Sequence, residues 1–260
     1  MSARAFLVTL QTAGRRSLAD RGALALAFGF YVVVTSVLSS LWRAAAESGG
    51  GSVAGYSAAA LTWYIATSEA ATIALNVRLI EEVGDDIVSG AVATELLRPA
   101  SVLGVRLASA IGNALPRLAL CITVGTGLSL LAVGAPPSAG GMALALPALV
   151  LGVACNLAAQ HAFAAAAFWV RDARSAWFLY QKFVFILGGM LLPLEVLPDW
   201  LHRTAVVLPF ATMAYAPARL AAGHVEPGLL LAQLGWLAVL SLAAATAFAA
   251  GERRLQVVGG

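Results

Sequence analysis

One acid interrupts an otherwise uncharged stretch of this sequence. Glu69 lies about halfway along the apolar run Tyr56–Val77, where an ionised carboxylate would cost at least a few kcal/mol if lipid surrounded it. Three states relieve that cost: protonation, a basic partner, or a water-filled cleft that admits a cation. Asn156, Gln160 and His161 make a second polar patch inside an apolar run, and the i, i+4 pair shares one helix face. Together these four residues are the candidate lining of a path through the chain. The plain alternative is hydrogen bonding between neighbouring helices.

Other chemistry is missing. Lys182 is the single lysine, and no Gly-x-x-x-x-Gly-Lys-Ser/Thr loop exists to cradle a nucleotide phosphate. His161, His202 and His224 are widely separated, and Cys121 and Cys155 lie in apolar runs, so neither a metal site nor a disulfide scaffold is expected. No catalytic residue and no cofactor is assigned to this chain.

The elements that position the polar groups follow from composition. Of 260 residues, 60% are hydrophobic and 11% charged, and the mean hydropathy is +0.86. Soluble domains carry roughly 25% charge, so the bilayer is the expected solvent and nucleic-acid binding is disfavoured. Runs of about 20 apolar residues place six spans at Ala23–Leu41, Tyr56–Val77, Ile111–Val133, Met142–Val170, Ser175–Leu194 and Gly228–Ala250. The turn-rich Gly134–Gly141 separates the third span from the fourth. Thr204–Ala218 is uncharged but short and contains Pro209, which suits a re-entrant or interfacial piece better than a seventh span. With the N-terminus inside, only Arg43, Arg203 and Arg219 of the 16 basic residues fall outside, as the positive-inside rule requires. Residues 1–20 read as a helix lying on the cytoplasmic surface, with Phe6, Leu7, Leu10 and Leu18 roughly on one side. The run that follows is of spanning length and is expected to stay rather than be cleaved as a signal.

Two connections are chemically rich. Residues 78–99 mix Glu81, Glu82, Asp85, Asp86 and Glu95 with Leu79, Ile80, Val83, Ile87 and Val88, and close on Leu96-Leu97-Arg98-Pro99. This reads as an amphipathic helix, interrupted by glycines, on the cytosolic side. It is either a docking surface or a loop whose apolar residues touch the protein's own helix ends. Residues 195–227 form the second connection. Pro193 and Pro198 break the fifth span as it leaves the bilayer, Glu195 stands between them, and a short helix starts with Asp199 favourably placed at its positive end. Trp200 suits the interface, and Pro209 punctuates the return.

These segments carry a family resemblance. Gly189–Leu201, then Leu208-Pro209-Phe210 and Tyr215-Ala216-Pro217-Ala218-Arg219, resemble the fifth span, external hairpin and return of ABC-2 type exporter permeases. Ser89-Gly90 and Glu95-Leu96-Leu97-Arg98-Pro99 are similar to a stretch of the branch often encoded as paired permeases beside one ATPase. The resemblance implies an all-α membrane protein: one transmembrane domain over 1–260, six spans, an N-terminal interfacial helix and an external re-entrant hairpin. It also implies that residues 78–99 couple to a cytosolic ABC ATPase present in two copies. A second permease, identical or homologous, would complete the path, and ATP and Mg would belong to the ATPase. The cargo by analogy is a hydrophobic or amphiphilic drug, antibiotic or lipid-like compound. Arg used in place of Lys and abundant Ala point to a GC-rich bacterium, hence to its inner membrane, with both termini cytoplasmic. The competing expectation is a proton-coupled secondary multidrug transporter in which Glu69 titrates; a membrane scaffold without transport is the remaining one.

Overall fold

The computed structural model describes residues 2–96, 101–170 and 173–258. These form eleven α-helices: α1 (Ala3–Ala19), α2 (Arg21–Ser48), α3 (Ala58–Ile73), α4 (Leu79–Val88), α5 (Ala91–Leu96), α6 (Val102–Val133), α7 (Ala139–Ala164), α8 (Ala173–Leu187), α9 (Asp199–Val207), α10 (Tyr215–Ala221) and α11 (Gly228–Val258). A two-stranded antiparallel ribbon, β1 (Ser52–Val53) and β2 (Tyr56–Ser57), precedes α3. Its turn, Ala54-Gly55, has positive φ at both positions (49° and 86°), the geometry that suits a two-residue hairpin.

Helix starts are chemically marked. Asp20 caps α2, Ser57 caps α3, Ser101 caps α6 and Ser138 caps α7, each side-chain oxygen accepting from a first-turn amide at 3.0–3.2 Å. Gly134, at φ 80°, ends α6. Pro136 and Pro137 follow and keep the helix from continuing.

Six helices alternate between two poles. At one pole, Ala46 of α2, Tyr56 and Ala60 at the start of α3, Leu194, and Tyr215 and Ala218 of α10 share one apolar cluster. The first turns of α7 and α11 pack there on Leu220 and Ala221. At the other, the Trp177 indole of α8 donates to the Val77 carbonyl at 2.6 Å. Phe248 of α11 meets Phe168 after α7, ring centroids 5.6 Å apart, and α4 fills the space between. We call these the hairpin pole and the α4 pole.

Four of the six (α2, α6, α7 with its 3-10 extension to Phe168, and α11) are long and apolar enough to cross a membrane. Helices α3 and α8 have 16 and 15 residues. They rise about 24 and 22 Å at about 1.5 Å per residue, less than the hydrocarbon core. Helix α8 stops at Leu187 rather than running to Leu194, so the break belongs to Gly188-Gly189 (Gly189 at φ 65°) and precedes Pro193. Buried irregular backbone must find partners, and it does. Tyr64 donates to the Gly189 carbonyl at 2.6 Å, Ser68 to Met190 at 2.9 Å and Trp42 to Leu191 at 2.9 Å, while the Tyr215 amide donates to Gly188 at 2.9 Å. Thr204–Ala218 is likewise not one helix. It is divided among the end of α9, a 3-10 turn at Pro209–Thr212 and the start of α10.

Helix α1 lies along α6 at a close approach. A Cβ on Gly112 would stand 2.3 Å from the Leu10 carbonyl oxygen and 2.9 Å from the Ala13 Cβ. Gly112→Val should lift α1 off and lower stability by about 1–3 kcal/mol. Gly127→Val, on the same helix with nothing within 4 Å of its Cβ position, is the control in a detergent melting comparison. Equal midpoints for the two variants would refute this packing.

Candidate functional site

At the α4 pole, most of the apolar residues of 78–99 pack on the protein itself. Leu79, Ile80, Val83 and Ile87 are buried, on the protein's own core. A Cβ on Gly84 would stand 2.3 Å from the Ala173 Cβ, so this glycine lies inside the helix and seats it on α8. The glycine that ends the helix is Gly90, at φ 80°. The apolar stripe therefore fixes α4 to the bundle; Val88, expected on the same face, is instead exposed at the end of the helix.

The acids of this segment divide by partner. Asp86 and Glu95 converge on Arg106 of α6, with contacts of 2.8–3.0 Å, and the arginine is only 12% exposed. Glu81 pairs with Arg78 at 3.2 Å, and Glu82 accepts from the Asn76 amide at 2.7 Å. Asp85 is exposed, and its carboxylate has no hydrogen bond or ion pair among the described residues. Of the other expected coupling residues, Leu96 ends α5, and Leu97, Arg98 and Pro99 lie outside the described residues. Arg106, the hub, was not singled out from the sequence, where it looks like one more inside arginine.

Behind α4 opens a cavity of about 520 Å³, lined by Glu82, Asp86, Glu95, Arg106, Arg117 and His161 among others. His161 is fully buried, with Nδ1 2.7 Å from the Leu157 carbonyl. A second cavity, about 290 Å³, holds Glu69 of α3, Asn156 and Gln160 of α7, and Trp177, Tyr180 and Gln181 of α8. Three of the four expected path residues thus share one chamber; His161, one position along, faces the other. Tyr180 and Gln160 both donate to Asn156 Oδ1, at 2.5 and 2.8 Å. Glu69 is 2% exposed and its Oε1 has no hydrogen-bond partner.

The hairpin pole carries a compact charged knot. Glu195 Oε1 accepts from Tyr215 at 2.7 Å, from Tyr56 at 3.1 Å, and from Arg219. Arg219 also donates to Tyr56 at 3.0 Å and to Glu226 at 2.8 Å. Donation by Arg219 holds the Glu226 carboxyl below its ordinary range; burial, then the neighbouring arginine charge, holds His224 below the usual histidine value. One carboxylate and one guanidinium so tie β2, the Leu194–Val196 turn, α10 and the loop into α11. Pro193 precedes that turn, Pro198 introduces α9, Asp199 occupies its first turn, and Pro209 opens the next 3-10 turn. Trp200 is 69% exposed. The sequence does not show that Arg219 and Tyr56 meet Glu195, or that Tyr64 and Trp42 donate to the backbone after α8. The Tyr64/Ser68 spacing of four in an apolar run was the one available signal.

The profile of the family described as ABC-2 family transporter protein matches residues 23–259. The chain belongs to that family. A search of curated proteins found no significant match. As an ABC-2 permease it is a multi-pass membrane subunit, of a kind that typically has no catalysis of its own, and membership implies partnership with an ABC ATPase. Among the described residues no cluster of His, Cys, Asp or Glu could hold a metal ion.

Proposed function

We propose that this permease is the membrane half of an ABC exporter in the inner membrane of a bacterium. It crosses the membrane six times, with both termini and the α4 pole in the cytosol, and residues 195–227 form an external re-entrant hairpin. It opens a path for a hydrophobic or amphiphilic compound together with a second permease, identical or homologous. Two ATPase subunits, which hold the ATP and Mg, drive it. The observation that carries this reading is the build of α4: an apolar face locked into the core, an arginine clamp onto α6, and acids facing out. Such a helix transmits a push on its outer face into the bundle rather than yielding to it. Nucleotide then acts by favouring one packing of the spans over another.

Glu82 and Asp85 are the exposed acids available for contact. Replacing both by arginine should lower the affinity for the ATPase at least tenfold, about 1.4 kcal/mol, with folding intact because neither is buried. Co-purification with its co-expressed partner ABC ATPase measures it; unaltered retention of the ATPase would count against the docking face.

The buried, partnerless Glu69 favours one other reading, a proton-coupled carrier acting alone. Export by the purified permease in vesicles, driven by a proton gradient and abolished by Glu69→Gln, would replace the first reading.

A further inference from the structure

Glu69 is the one buried acid among the described residues, and it has no countercharge. None of the described ion pairs includes it, and the titratable groups that feel its charge, the Tyr31 phenol and the Cys121 thiol, are not basic. Several polar groups around it are already engaged. Ser68 donates to Met190, Tyr31 to the Ala66 carbonyl at 2.7 Å, and Tyr180 and Gln160 to Asn156. The carboxylate stands in a chamber walled by Phe30, Trp177, Tyr180 and Phe185. Lys182 is not its partner: that ammonium lies 4.9 Å above the Phe178 ring, on an exposed face.

We infer that this chamber is a binding site for an amphiphilic organic cation, with Glu69 as the single countercharge and the aromatic wall as its apolar and cation–π surface. A charge buried without a partner is costly, and a cationic ligand removes that cost where a neutral one does not. The volume, about 290 Å³, is near the lower end of small-molecule sites, roughly 300–1,000 Å³, which suits a compact cation rather than a whole lipid. Asn156 Oδ1 accepts from Gln160 Nε2 and from Tyr180, which fixes this edge of the chamber, and the charge of Glu69 with the shape of the aromatic wall leads the selection of the ligand. This names the cargo class for the exporter reading and rests on it only for the word cargo.

The test uses the full chain in phosphatidylcholine nanodiscs, with no ATPase, and equilibrium binding of radiolabelled tetraphenylphosphonium. Triphenylphosphine oxide, of similar shape and no net charge, is the competitor. The expected result is saturable binding, at least tenfold weaker in Glu69→Gln and within threefold of the native value in Glu69→Asp, with no competition by the neutral oxide. Absent saturable binding, equal affinity in Glu69→Gln, or competition by the oxide overturns the site; a basic residue of a second permease copy filling the chamber would give the first of these. Should the glutamine variant fail to fold, the competition arm on the native chain decides alone. Failure here leaves ATPase docking untouched, and loss of ATPase docking leaves this binding untouched.

Discussion

Arg106→Met is expected to give a permease that inserts and folds yet responds poorly to its ATPase. The side chain is 12% exposed, while Asp86 and Glu95 retain 46% and 35% exposure. Both acids can therefore return to water when the arginine goes, and the stability cost is about 1 kcal/mol. The mechanical cost is larger. Arg106 is the ionic tie that joins α4 and α5 to α6, and without it a push on the outer face of α4 is spent in local motion. On the exporter reading, ATPase stimulation by cargo should drop at least tenfold while ATPase co-purification persists. Arg106→Lys should rescue little, because one ammonium cannot reproduce the guanidinium fork that makes a two-point contact with Glu95 and a third with Asp86. Full stimulation in Arg106→Met would show that α4 transmits through its apolar seat alone.

The second large effect lies at the opposite pole. Arg219→Met removes the partner of Glu195 and of Glu226 at once. Breaking a fully buried pair costs about 3–5 kcal/mol; here Arg219 and Glu195 are 19% and 20% exposed, so roughly 1–3 kcal/mol is expected after screening. The double variant Arg219→Met/Glu195→Gln should recover part of that loss, since it no longer leaves a carboxylate unpaired among tyrosines. A double variant less stable than the single one would refute the pairing. Acid should loosen the same knot. Glu226 titrates lower in the folded chain than in the unfolded chain, so its contribution is present above the ordinary carboxylate value and disappears as pH falls through the folded one. His224 also titrates lower when folded. The folded state resists its protonation, and stability declines once pH drops below about 6.5. Melting midpoints should therefore fall from pH 7 toward pH 4, less steeply in Arg219→Met.

The class of the protein and its four long apolar helices were legible because they rest on long apolar runs and on turn chemistry at Gly134, Pro136 and Pro137. Tertiary partners were not. Nothing in a linear string says that Arg106 reaches both Asp86 and Glu95, or that Gln160 and His161, adjacent in sequence, open onto different chambers. On a helix one step is about 100° of rotation, enough to change the neighbouring space. The end of α8 was misplaced for a related reason. Proline is a conspicuous breaker, whereas Gly188-Gly189 breaks the helix because side chains from α2 and α3 and the amide of Tyr215 stand ready to donate to the released carbonyls.

That arrangement constrains how the molecule can work. Were α8 to swing away from α3 by itself, the oxygens of Gly189 and Met190 would be stranded in oil, each at a cost of several kcal/mol. Whatever cycle the transporter runs, these two elements travel as one block, and its sliding surfaces lie elsewhere.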